Sequence, residues 1–206
     1  MDTTLIAAGI NEVFYRFDYT ILNILHELAV ATKNSLTPFF TFISMTGDYG
    51  VGLILIGLTM ILFRKTRKAG IAVLLGMALG AILTNIILKP LISRPRPYED
   101  ISSIYHTWWE YVGGRYYYGD AFPSGHTTAA MAMMSAIFLS FNKRYSFIGF
   151  LFVILMGVSR NYLMVHYPSD ILGGILIGGF AGYVGVFSTK WIYIKAKGTR
   201  FEKNLS

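Results

Sequence analysis

The sequence predicts an all-α integral membrane protein: a bundle of five to six transmembrane helices with an N-terminal amphipathic helix and a long extracytoplasmic loop. Three observations carry that expectation. Hydrophobic residues make up 54% of the 206 residues and charged residues only 14%, against about 25% in typical soluble domains. Five apolar stretches reach or approach the roughly 20 residues that cross a bilayer core. Basic residues gather at alternate junctions between those stretches. A soluble helical bundle would need polar stripes that the stretches lack.

Residues 5 to 31 mix apolar positions with Asn11, Glu12, Arg16, Asp18, Asn23, His26 and Glu27. Leu22, Leu25, Leu28 and Ala29 recur at helical spacing, so the segment reads as an amphipathic helix on the membrane surface. A poorly hydrophobic sixth span is the alternative. No basic region precedes the short run Leu5 to Ile10, and no cleavable leader is expected. The first span runs from about Gly47 to Phe63, with a backward extension through Pro38 to Ile43. The second covers Ala69 to Leu88, the third Thr127 to Phe141, the fourth Phe147 to Val158 and the fifth Ile171 to Ile194. The third and fourth are short unless they continue into the polar motifs beside them. Gly174, Gly178 and Gly182, with Gly76 and Gly80, form small-xxx-small patterns that read as helix-packing faces. The whole chain, 1–206, is expected to form a single domain, with the motif-bearing core at about 47–194.

Orientation follows from the cations. Arg64, Lys65, Arg67 and Lys68 crowd the first connection, Lys143 and Arg144 the third. Lys190, Lys195, Lys197, Arg200 and Lys203 follow at the C-terminal end. The positive-inside rule places these groups, and the C-terminus, on the cytoplasmic side of the cell membrane. Residues 89 to 126 and 159 to 170 then share the opposite face. Lys89, Arg94, Arg96 and Arg115 stand against the rule there, offset by Glu99, Asp100, Glu110 and Asp120. Trp108, Trp109, Tyr111, Tyr116, Tyr117 and Tyr118 suit a loop lying along the interface, or one packed on itself.

Chemistry concentrates on that face. The run Pro123-Ser124-Gly125-His126 opens the third span, where free backbone N–H groups and a serine hydroxyl can seat an anion. A histidine on that first turn can move a proton to the departing group. Lys89 to Pro97 leaves the second span, and Ser159 to Asp170 joins the fourth to the fifth. Taken singly, Lys89 or Arg94 could snorkel, His126 could be interfacial, and Asp170 could cap a helix. Cations, histidines, a serine and a carboxylate recurring at helix ends on one side are not explained that way. The chain has no cysteine, which excludes disulfides, thiolate nucleophiles and cysteine metal sites. Nucleic-acid binding has no support, because the basic clusters coincide with helix ends.

The three motifs together resemble the signature of the type 2 phosphatidic acid phosphatase (PAP2) superfamily. That pattern is Lys-x6-Arg-Pro, Pro-Ser-Gly-His, then Ser-Arg-x5-His-x3-Asp; here Lys89, Arg96-Pro97, Pro123 to His126, Ser159-Arg160, His166 and Asp170 fill every position. The N-terminal 45 residues or so add nothing to the match. The resemblance implies phosphate binding by Lys89, Arg96, Ser124, Gly125 and Arg160, with His166 as nucleophile, Asp170 as its orienting carboxylate and His126 as acid and base. It implies a membrane lipid phosphate as substrate, a phosphohistidine intermediate, and no metal or other cofactor. Undecaprenyl pyrophosphate, phosphatidylglycerol phosphate and phosphatidic acid are all compatible. Arg94, Tyr118 and Asp120 are candidate substrate contacts outside the motif, whereas His106 reads as a solvated loop residue and His26 as structural. Phosphotransfer to another hydroxyl is the alternative reaction, and a transporter or non-catalytic scaffold the alternative class. A vanadium haloperoxidase fits less well, because such members are generally soluble and larger. Oligomeric state is not readable.

Overall fold

A computed structural model describes residues 3–197, so Arg200 and Lys203 lie outside the described residues. Among the described residues all regular structure is helical. Helix α1 is Thr3–Ala31, α2 Thr37–Thr46, α3 Val51–Leu62 and α4 Arg67–Ala81. A π-helical stretch, Ile82–Leu88, continues α4 into α5, Lys89–Ile92. The loop beyond it carries α6, Ile104–Tyr111. Then come α7 (Gly125–Ser140), α8 (Lys143–Ser146), α9 (Phe150–Tyr162) and α10 (Pro168–Ala196).

The all-α membrane fold stands. Three helical stretches are long and apolar enough to cross a membrane: Arg67–Ile92, Lys143–Tyr162 and Pro168–Ala196. A fourth results if α2 and α3, bent by 42° at Gly47 to Gly50, count as one broken span. By length and composition, three or four helical stretches among the described residues can each cross a membrane. At 16 residues α7 is about 24 Å long, short of the roughly 30 Å hydrocarbon core. The fourth stretch reaches span length by extending back to Lys143 and on through Ser159 and Arg160 to Tyr162.

Glycine decides how closely the helices meet. A Cβ on Gly178 would lie 2.5 Å from the Thr128 carbonyl oxygen, and one on Gly182 2.5 Å from that of Ala132. A Cβ on Gly174 would lie 2.8 Å from the Ser124 oxygen. The stripe thus lays α10 directly on the α7 backbone, as small residues do between membrane helices. It has a functional result: the first turns of α7 and α10, carrying His126 and Asp170, are held side by side. Ser124 N–H donates to the Asp170 carbonyl at 3.0 Å, closing the same junction. Gly182→Ala is expected to lower the unfolding midpoint in a fixed detergent by the equivalent of about 1–3 kcal/mol. Gly179→Ala, whose Cβ would meet only the Met131 methyl at 3.5 Å, should leave the midpoint unchanged.

Helix α1 is more than a surface helix. Ala7, Asp18, Leu22 and Ala29 are buried, and the helix lies across α5, α9 and α10 at the motif-bearing end. The aromatic loop packs on it: Trp108 stacks on His26 with ring centroids 4.8 Å apart, and Tyr98 stacks on Trp109 at 4.7 Å. Tyr116 and Tyr118 remain exposed at the loop's outer edge.

Candidate active site

The turn between α9 and α10 carries His166, which is 1% exposed. Its Nδ1 lies 3.3 Å from Asp170 Oδ2, and its Nε2 lies 3.3 Å from Arg96 Nη1. An ionised carboxylate only accepts, and a guanidinium only donates. The pair therefore selects one tautomer, with the proton on Nδ1 and the lone pair on Nε2. Burial and the neighbouring Arg96, Arg160 and Lys89 cations hold the imidazole well below the ordinary histidine pKa. At neutral pH His166 is thus an uncharged base with a fixed, electron-rich nitrogen. Asp170 also accepts from Tyr167 N–H at 2.8 Å. It caps α10 and holds the His166 ring with the same oxygen.

Three cations converge beside that nitrogen. Arg96 is locked by donations from Nε to the Gly119 carbonyl at 2.7 Å and from Nη1 to the Val165 carbonyl at 2.8 Å. Arg160, fully buried on the last turn of α9, donates through Nη1 to Ser44 Oγ and stacks over the Tyr117 ring at 3.9 Å. Its Nε and Nη2 are buried with no hydrogen-bond partner among the described residues. Unpartnered guanidinium N–H groups are costly to bury, and an oxyanion would satisfy them. Lys89 follows the π-helical stretch, a wide turn that recurs at functional sites. Lys89, Arg96, Gly125, His126, Arg160 and His166 all line one cavity of about 750 Å³. Its other end is apolar, walled by Ile54, Leu74, Met77, Ala78 and Ala81 between α3 and α4. Ser124 is buried behind Gly125, where its Oγ caps α7 by accepting from Thr127.

A family model described as the PAP2 superfamily matches residues 69–193, more than half of the chain. The chain belongs to the PAP2 superfamily. It is 26% identical to an undecaprenyl-diphosphatase of Sulfolobus acidocaldarius over 82% of this chain and 77% of that protein. It is 32% identical to phosphatidylglycerophosphatase B of Bacillus subtilis over 61% of this chain and 60% of the relative. Among solved structures it resembles a transmembrane PAP2 type phosphatidylglycerolphosphate phosphatase from Bacillus subtilis. There the TM-score is 0.65 and the identity 26%, covering 96% of this chain and 95% of the other.

Of the PAP2 motif residues, Lys89, Arg96, Gly125, His126, Arg160 and His166 line one cavity, and residues outside the motifs surround it. Arg94 does not line the cavity. It is 1% exposed, and its donors go to Asn11 (2.8 Å), Asp18 (2.9 Å), Ser169 (2.7 Å) and Asp170 (2.6 Å), with its face 4.0 Å from the Tyr167 ring. Its charge balances Asp170 from behind. The N-terminal segment, silent in the motif, contributes Asp18, whose carboxylate also accepts from Ser169 N–H at 2.8 Å and Ser169 Oγ at 2.7 Å. An acidic residue within an otherwise apolar helical stripe was the only sequence signal for it. Of the other loop candidates, Tyr118 lines the cavity mouth and is 87% exposed, while Asp120 is half-buried and does not line it. His106 faces the Tyr98 carbonyl at 2.6 Å, consistent with a loop role.

Proposed function

We propose that this PAP2 protein is a membrane lipid-phosphate phosphatase acting through a phosphohistidine on His166. The observation that carries the reading is the pair of unpartnered, buried guanidinium nitrogens of Arg160 in the cavity that also holds His126 and His166. Lys89, Arg96 and Arg160 surround the phosphoryl group and match the charge that spreads over its equatorial oxygens. The Ser124 hydroxyl and Gly125 N–H, at the head of α7, add donors. His166 Nε2 attacks phosphorus and the P–O bond to the lipid breaks as His126 gives its proton to the leaving oxygen. Asp170 stabilises the charge that His166 then carries. Water, losing a proton to His126, next attacks phosphorus, the P–N bond breaks, and inorganic phosphate leaves with His166 restored.

A cavity charged at one end and apolar at the other suits a phosphate headgroup whose tail stays in the bilayer. The relatives' names make undecaprenyl diphosphate and phosphatidylglycerol phosphate the leading substrates, with phosphatidic acid a third. The site faces away from the cytoplasm. That orientation is supported by Arg64, Lys65, Arg67 and Lys68 between α3 and α4, and by Lys143 and Arg144 on α8. Three protein cations supply the charge that a metal would otherwise supply, so turnover needs no divalent ion. Protein in detergent with EDTA is expected to release phosphate from a panel of lipid mono- and diphosphates at the rate seen without chelator. Activity that disappears and returns only with a divalent ion would overturn the metal-free mechanism.

A further inference from the structure

His126 has a carboxylate of its own, outside the PAP2 motifs. Its Nε2 lies 2.9 Å from Asp48 Oδ1, and the other oxygen of Asp48 accepts from Arg115 Nη2 at 2.7 Å. With both oxygens engaged, the carboxylate is fixed between an imidazole and a guanidinium. The chain is shaped to deliver it. Asp48 sits at the 42° bend between α2 and α3, followed by Tyr49 at φ 54° and Gly50 at φ 69°. Tyr49 is a bulky residue in the left-handed region with its side chain 96% exposed, so its own packing does not account for that backbone. Gly47 completes the cradle. A Cβ there would lie 2.8 Å from His126 Cδ2 and 2.9 Å from the Met156 methyl, so the imidazole rests directly on the backbone. Cδ2 is bonded to Nε2, the nitrogen that Asp48 holds.

We propose that Asp48 is a positioning residue for the acid–base histidine, the carboxylate of a second carboxylate–imidazole pair facing the His166–Asp170 pair across the cavity. The inference rests on the proposed acid–base role of His126. Asp48 accepts the Nε2 proton, which leaves Nδ1 as the nitrogen that gives a proton to the leaving oxygen and later takes one from water. In the first step the Nδ1–H bond breaks and an O–H bond forms on the departing alcohol; the second step reverses this on water. The groups facing His126 are Asp48 from the bend, Arg115 and Tyr117 from the loop, Lys89 from α5, Arg96, Arg160 from α9, and His166. Among the described residues Asp48 is the carboxylate that touches the ring, and four cations share its cavity. Asp48 therefore favours the protonated form of His126 against the burial and the Arg160 charge that disfavour it.

The test separates proton delivery from simple disruption by changing the leaving group. Phosphoenzyme formation is measured in single turnovers with an alkyl phosphate, whose alkoxide needs a proton, and with p-nitrophenyl phosphate, whose phenolate leaves without one. Asp48→Asn is expected to slow the alkyl phosphate about 10²-fold, the scale of general acid catalysis, and the aryl phosphate less than about threefold. Equal slowing of both, or of neither, overturns the proposal. His126→Ala is run beside it. If that variant discriminates by leaving group and Asp48→Asn does not, the pairing fails while the acid–base reading survives. If His126→Ala slows both substrates alike, the acid–base reading itself fails and the pairing with it. Should Asp48→Asn not be recovered from membranes, Asp48→Glu decides in its place. It keeps the charge but adds a methylene that displaces the ring, and is expected to show the same discrimination at smaller size; no discrimination overturns the proposal.

Discussion

Replacing His166 by alanine is expected to abolish phosphoenzyme and to reduce turnover on a lipid phosphate by about 10⁴-fold or more, as loss of a covalent nucleophile does elsewhere. His166 presents a lone pair at Nε2 because Asp170 holds the Nδ1 proton at 3.3 Å, and nearby cations disfavour its protonation. The other histidine lining the cavity, His126, is held through Nε2 by Asp48 and has the acid–base role in this mechanism. The variant should still insert and fold. Asp170 keeps its bonds to Arg94 and Tyr167 N–H, so no buried carboxylate is left without a partner. The check is acid-labile phosphate on the protein after quenching, together with steady-state phosphate release. Near-normal turnover by His166→Ala would remove the nucleophile assignment.

Arg160→Lys is expected to cost about 10²–10³ in kcat/KM, the scale of losing a preorganised donor to a developing oxyanion. The substitution keeps a positive charge but replaces a planar fork with a point charge. In the native protein one arm of the fork is held by Ser44 and the plane lies on Tyr117, while Nε and Nη2 remain unpartnered. A lysine cannot fill the Ser44 contact and offer two further directed donors together. A second readout separates this from loss of packing. Inorganic phosphate should raise the thermal midpoint of the native protein through mass action on the folded state, and should do so much less for the variant. A variant with native kcat/KM and a native phosphate shift would show that Arg160 does not bind the substrate's phosphoryl group.

Much of this architecture was readable in the chain before it was folded. Apolar runs bounded by cations marked the helices at Arg67–Ile92 and Pro168–Ala196 within a few residues. Motif spacing singled out Lys89, Arg96, His126, Arg160 and His166, all of which line the same cavity. The glycine stripe on α10 was legible as a packing face, because a period of four in small residues has few other uses. At 16 residues α7 is shorter than an ordinary span, and hydropathy alone does not say how such a helix sits in the bilayer. Arg94 shows the limit of a linear reading: a cation at a helix end looks the same whether it faces lipid headgroups or a buried carboxylate.

The sequence by itself determined the chemical inventory, which helix ends carry it, and the family to which it belongs, because periodicity and motif spacing are properties of neighbouring residues. Only the tertiary structure decided which carboxylate serves His126 and which holds the far side of Ser169. Asp48 meets His126 across 78 residues, and Asp18 reaches Ser169 across 151. Such pairings depend on where a 42° bend and glycine-to-backbone contacts set whole helices, and they leave no spacing that a linear reading can measure.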